Sequence, residues 1–191
     1  MCHKFNFKQS GVSLIEILVA VFVVSVGLLG VARMEILAKQ SNAEAIQRTS
    51  ASQLAHDMVE KMRANPKQLA DYVGQTLGTG SVTMGTDCDT TSCKPTEIAA
   101  WDLYQWDQSL IGAGEKSGSN NTGGLDTPRG CITGPAAGGA GQYSISIAWR
   151  SNTPMPDASS STCGQGKSLY GASDVYRRVL TLSLYISDDG I

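Results

Sequence analysis

Residues 11–32 read GVSLIEILVAVFVVSVGLLGVA, and the reading of this stretch decides the fold. Across residues 12–32, Val, Leu, Ile, Ala and Phe fill 16 of 21 positions; the exceptions are Ser13, Glu16, Ser25, Gly27 and Gly30. As a helix rising 1.5 Å per residue the segment reaches about 31 Å, against a bilayer hydrocarbon core of about 30 Å. Residues 12–32 are therefore predicted to be a transmembrane helix. Glu16 is the anomaly. An ionised carboxylate near the start of an apolar helix is costly in lipid, and such residues usually have a partner and a function. It is either a shallow charge among the headgroups or a group awaiting a positive charge from another chain.

On the N-terminal side, residues 1–11 carry Lys4 and Lys8 and no acid. Positive residues on that flank place it in the cytoplasm and send the C-terminal part across the membrane. The whole chain has 15 Lys+Arg, 17 Asp+Glu and a net charge of −2. Without Lys4 and Lys8 the balance is 13 against 17, or −4. No basic block exists, which argues against nucleic acid as a partner.

Five cysteines are present: Cys2, Cys88, Cys93, Cys131 and Cys163. Cleavage near Gly11 discards Cys2 and leaves four, all in the exported portion, where an oxidising compartment permits two disulfides. Three connectivities are open. The favoured one joins Cys88 to Cys93 across a short loop and Cys131 to Cys163 across a long Gly/Ser-rich excursion. A zinc site is the rival, without a CxxC or a nearby His in its support. An ordinary signal peptide cut after residues 30–32 (Gly-Val-Ala) is the weaker reading. The apolar run outlasts a typical h-region, holds a carboxylate, and continues as helix past Ala32.

On the C-terminal side, residues 33–65 contain no Gly or Pro and abound in good helix formers. An apolar line runs through Met34, Leu37 and Ala38, thins to Ala45, and resumes at Ala51, Leu54, Met58 and Met62, spaced as one helical face requires. Asn65-Pro66 ends it. One helix over residues 12–65 is expected, with 33–65 an amphipathic continuation lying against a globular domain. Gly27 and Gly30 are its weak points, where it would bend or locally unwind. Residues 67–95 read as a connector, and Thr96 as the cap of a short helix to Ile111 with Ala99, Leu103, Trp106 and Leu110 on one face. Residues 112–141 read as loop. Two strands follow: Tyr143, Ile145, Ile147 and Trp149 share a face of the first, and Leu180, Leu182, Leu184 and Ile186 a face of the second. The loop between them, residues 151–173, holds Cys163. The predicted class is α+β: a long N-terminal helix, transmembrane then amphipathic, packed on a small antiparallel sheet with disulfide-tied loops.

Catalytic chemistry finds little support. His3 lies in the leader, and His56 beside Asp57 reads as an exposed helix residue. Cys163-Gly164-Gln165-Gly166-Lys167-Ser168 mimics the end of a P-loop, but Ser161 replaces its first glycine and no strand precedes it. Asp87 with Asp89, and Asp188 with Asp189, are acid pairs of the kind usually solvated, and Asn120-Asn121-Thr122 is a formal glycosylation sequon. No enzyme, cofactor, metal or small-molecule substrate is predicted.

At Gly11-Val12-Ser13-Leu14-Ile15-Glu16 the sequence resembles the class III signal of type IV prepilins and pseudopilins: a short basic leader ending in glycine, and a carboxylate at the fifth position beyond it. The continuation IEILVAVFVVSVGLLGVARME, with QRTSASQLAHDMVEKMRANP, resembles the PilV-type minor pilins, above all at Leu54-Ala55, Met58 and Met62-Arg63-Ala64-Asn65. The likeness covers residues 10–66; beyond it only the kinds of element match, a helix around Trp106, a strand ending in Trp149 and a last strand. Val12 departs from the pattern, where phenylalanine or methionine is commoner. The resemblance implies a leader (residues 1–11) cut between Gly11 and Val12 by prepilin peptidase, and N-methylation of Val12. It also implies a single-pass anchor in the bacterial inner membrane with residues 66–191 as a periplasmic head, and later assembly into a pilus fibre, at its tip. Partners would be other minor pilins and the major pilin, Glu16 meeting the positive N-terminus of a neighbour. Twitching motility and adhesion are the implied roles of the fibre. A minor pseudopilin of a type II secretion system is the alternative.

Overall fold

In the computed structural model, residues 11–187 are described. The leader residues before Gly11 and the Asp188–Asp189 pair lie outside them. The helix-forming run gives helix α1, Leu14–Ala64, closing one residue before Asn65-Pro66. Gly27 and Gly30 do not interrupt it, so the helix does not unwind there. A short 3-10 turn at Pro66–Gln68 and helix α2, Leu69–Tyr72, follow. Contacts divide the chain between Asn42 and Ala43 into an N-terminal unit and a second, compact unit, Ala43–Ile191.

Within the second unit, α1 buries Ala51, Ala55, Met58, Val59 and Met62. Leu54 is partly buried against the same cluster. The apolar face therefore begins later than the sequence pattern implied, because Met34, Leu37 and Ala45 are exposed. Helix α3, Pro95–Leu110, buries Ala99, Leu103, Trp106 and Leu110, the four residues expected on one face. Its start corrects the cap assigned to Thr96. Proline, lacking the N–H that a first turn leaves unused, sits at position 95. The Lys94 N–H donates to the Glu97 carboxylate at 2.7 Å, which satisfies a donor of the first turn in the way a capping-box acid does.

The sheet has three antiparallel strands in the order β3-β4-β5. They are β3, Arg129–Thr133, β4, Gly141–Arg150, and β5, Arg177–Ile186. A minor hairpin precedes it, β1, Lys116–Ser117, with β2, Asn120–Asn121. Both β3 and the hairpin lie in the stretch read as loop, so that reading is corrected. The register pairs Ile132 with Ile145 and Ile145 with Leu182. Tyr143, Ile145, Ile147 and Trp149 are all buried, facing the cluster that includes α1 and α3. The opposite face is less open than the alternation implied. Ser146 and Ala148 are buried as well, and the Cys163 sulfur lies 3.5 Å from the Ser146 carbonyl oxygen.

Two disulfides close in this unit, Cys88–Cys93 and Cys131–Cys163. The second ties β3 to the β4–β5 connection across 32 residues. In the chain-entropy account, losing it by paired Cys→Ser substitution destabilises the unit by about 3–4 kcal/mol, whereas a short loop like Cys88–Cys93 contributes about 2 kcal/mol. Denaturant midpoints of the two double variants should fall in that order; equal shifts would contradict it.

Candidate functional site

The feature with no role inside the folded unit is the surface of residues 11–32. Every one of these residues is exposed. Leu14 is 77% accessible, Phe22 69% and Leu29 71%. A continuous apolar surface on this scale is not what a free soluble monomer carries. The helix is long and apolar enough to cross a membrane.

Local chemistry fits that environment. Ser13 precedes α1, and its carbonyl accepts the Glu16 N–H at 3.0 Å and the Ile17 N–H at 3.3 Å. The Ser25 hydroxyl donates to the Val21 carbonyl at 2.7 Å, so it does not present an unsatisfied donor to an apolar medium. Gly27 and Gly30 have open space where a Cβ would stand, and such positions let another helix approach closely. Glu16 lies in the first turn, where the helix dipole favours negative charge. Among the described residues its carboxylate has no hydrogen-bond or ion-pair partner. Gly11 and Val12 sit just ahead of the helix, both exposed.

The other residues singled out from sequence do not converge on a reactive centre. His56 is exposed. The Asp87 carboxylate, just ahead of the Cys88–Cys93 loop, accepts the Asp89 N–H at 3.0 Å. The Asn120-Asn121-Thr122 sequon lies on the β1–β2 hairpin and its end, exposed. In the P-loop-like segment, Gly164 and Gly166 have positive φ, yet the Gly166 N–H donates to the Asp174 carboxylate at 2.8 Å. A carboxylate thus occupies a donor that a phosphate would need. Among the described residues, no group of three or more His, Cys, Asp or Glu could hold a metal ion.

Sequence reasoning missed the polar groups that lock the helices together. Lys61 pairs with Asp102 at 3.2 Å and donates to Gln105 at 2.8 Å, while the Tyr72 hydroxyl donates to Asp102 at 2.6 Å. The Asn65 amide reaches the Pro95 carbonyl at 2.7 Å. The buried Asp107 carboxylate accepts the N–H groups of Gly78 and Thr79 at 2.6 and 3.1 Å. These partners are 28 to 44 residues apart, beyond any local spacing rule.

Burial, then the hydrogen bond to Asp102, pushes the Tyr72 hydroxyl far above its ordinary value. Burial pushes Tyr170 up to about 12. In unfolded chains both release protons near pH ~10, so the unfolded state binds fewer protons than the folded state above that pH. Stability is then full below pH ~10 and falls as pH rises beyond it. The Tyr170 share is complete by a pH of about 12. Tyr72→Phe should flatten the alkaline fall by one proton, read from denaturant midpoints across pH; an unchanged slope would refute this.

A long helix with an exposed apolar N-terminal surface, joined to a disulfide-tied α+β unit, defines the class as an α+β chain carrying a membrane-length apolar helix. Comparison with known families makes the class specific. Residues 34–104 match the family described as Type IV pilin Tt1218. Residues 6–32 match the prokaryotic N-terminal methylation motif. The chain is therefore similar to a type IV pilin family over residues 34–104 and carries the prokaryotic methylation motif ahead of it. No curated protein and no solved structure matches it.

Proposed function

We propose that this protein is a PilV-type minor pilin of a type IV pilus. Prepilin peptidase cuts between Gly11 and Val12, and the new Val12 amine is methylated. Residues 12–32 hold the chain in the inner membrane with the head, residues 66–191, in the periplasm; residues 33–65 continue the helix between them. Assembly with other minor pilins and the major pilin follows, priming the fibre at its tip and supporting twitching motility and adhesion. One observation carries the reading: the fully exposed apolar surface of residues 11–32, with Glu16, unpartnered among the described residues, five residues beyond Gly11.

The pilus reading and that of a type II secretion pseudopilin share this surface. The match to a type IV pilin family over residues 34–104 favours the pilus. Removal of the protein from its own cells decides between them. Loss of surface fibres and twitching with exoprotein secretion intact supports the proposal, and the reverse outcome overturns it.

A further inference from the structure

The outer face of the sheet carries a groove of about 760 Å³ for which assembly through the N-terminal helix has no use. Its floor is a grid of hydroxyls. The register sets Ser144 beside Ser183 and Ser146 beside Thr181. Each pair shares one hydrogen bond, at 2.9 Å in both cases. A hydroxyl has one donor and two acceptor lone pairs, so such pairing leaves further capacity on every oxygen.

The wall is fixed rather than mobile. Residues 160–164 border the groove, and the Cys131–Cys163 disulfide ties this segment to β3. Arg177, its side chain wholly buried, donates to the Cys163 carbonyl at 2.9 Å, to the Ser161 carbonyl and to the Asp157 carboxylate. A site held in shape before its ligand arrives loses less in ordering on binding.

The charge is one-sided. Arg129 and Lys167 line the groove, and no Asp or Glu does. The nearby carboxylates are already engaged, Asp157 by Arg177 and Asp174 by the Gly166 N–H. Lys167 is exposed and, among the described residues, has no ion-pair partner. A cationic, acid-free groove stands out on a chain of net charge −2. Fixed groups that both donate and accept match sugar hydroxyls, and cations without counter-charge match an acidic substituent.

We infer that this groove binds an acidic saccharide, a short sugar chain bearing sulfate or carboxylate groups. Its anion faces Arg129 and Lys167, and its hydroxyls meet the Ser/Thr floor. The site stands independently of the fibre to which the protein belongs.

The test is a titration of the full chain in detergent micelles, followed by calorimetry. The probes are a sulfated, uronate-containing tetrasaccharide, neutral maltotetraose, inorganic sulfate and a short DNA duplex. The sulfated tetrasaccharide should bind at least about tenfold more tightly than each of the others. Lys167→Glu and Ser183→Asp, both exposed positions, should each weaken it about tenfold or more, while Lys67→Glu, outside the groove, leaves it unchanged. Equal binding of maltotetraose overturns the role of charge. Equal binding of sulfate shows an anion site without saccharide recognition and overturns the proposal, as does equal binding of DNA. Failure of the tetrasaccharide to bind, or indifference to both groove variants, overturns it too.

Discussion

Trp106→Ala should destabilise the Ala43–Ile191 unit by about 3–5 kcal/mol, the range for emptying a fully buried large aromatic site. Trp106 is wholly buried on α3. Its indole N–H donates to the Leu54 carbonyl of α1 at 2.8 Å. Its ring covers Gly130 of β3, where an added Cβ would stand 2.5 Å from ring atom Cζ3 and 2.8 Å from Cη2. One side chain therefore joins both long helices to the sheet. Trp106→Phe keeps much of the apolar contact and loses the donor, for a smaller effect of about 1–2 kcal/mol. Gly130→Ala should destabilise the wild type by overpacking, by about 1–3 kcal/mol. In a Trp106→Ala background the same methyl no longer meets the indole and keeps only the approach to Leu110 Cδ1 at 2.8 Å, so the two effects should be non-additive. Far-UV circular dichroism through a denaturant series measures all four proteins of the cycle. Additive losses would mean that Trp106 and Gly130 do not share this contact.

The Gly130 contact also explains what was hard to read beforehand. Strand β3 is RGCIT, five residues with glycine at the position facing Trp106. Glycine in a strand normally weakens it, which is why its neighbourhood reads as loop. Here the missing side chain is what admits the indole, and the Gly130 backbone exchanges hydrogen bonds with Leu77 at 3.0 and 3.2 Å. The reason for the glycine lies on another element, out of reach of any window. By contrast β4 is long with apolar residues at alternate positions on its inner face, and the second half of α1 has no Gly or Pro before its proline stop. Both are properties of the local chain, and both were legible. The cap of α3 shows the middle case: Thr96 has the right chemistry for a cap, but Pro95 shifts the start and Glu97 supplies the acceptor. The exposed apolar helix was legible because it is local too, a run of apolar residues long enough to cross a membrane. The groove on the sheet was not, since its hydroxyls come together only through the register of β4 with β5 and the Cys131–Cys163 link.

Glu16→Gln should leave the chain folded and membrane-held yet sharply reduce its recovery in sheared fibres. The substitution preserves size and removes only charge. Because Glu16 lies in the first turn of α1, its own helix gains about 0.3–1 kcal/mol from the carboxylate, too little to decide assembly. In the proposed assembly the large term is intermolecular. Among helices packed away from water, a carboxylate facing the amino terminus of a neighbouring subunit is a desolvated pair, and removing one member of such a pair costs about 3–5 kcal/mol. That corresponds to a loss in association of roughly 150- to 5,000-fold. Glu16→Asp keeps the charge on a shorter arm and should recover part of the assembly, which a purely apolar role for position 16 would not predict. Two measurements separate assembly from folding: formation of the Cys88–Cys93 and Cys131–Cys163 disulfides in membranes, read by thiol labelling before and after reduction, and the amount of protein in the fibre fraction. With both disulfides formed as in the wild type and the fibre fraction depleted, the charge acts between chains. Normal fibre incorporation of Glu16→Gln would remove the pairing from the account and leave Glu16 a shallow charge at the membrane surface.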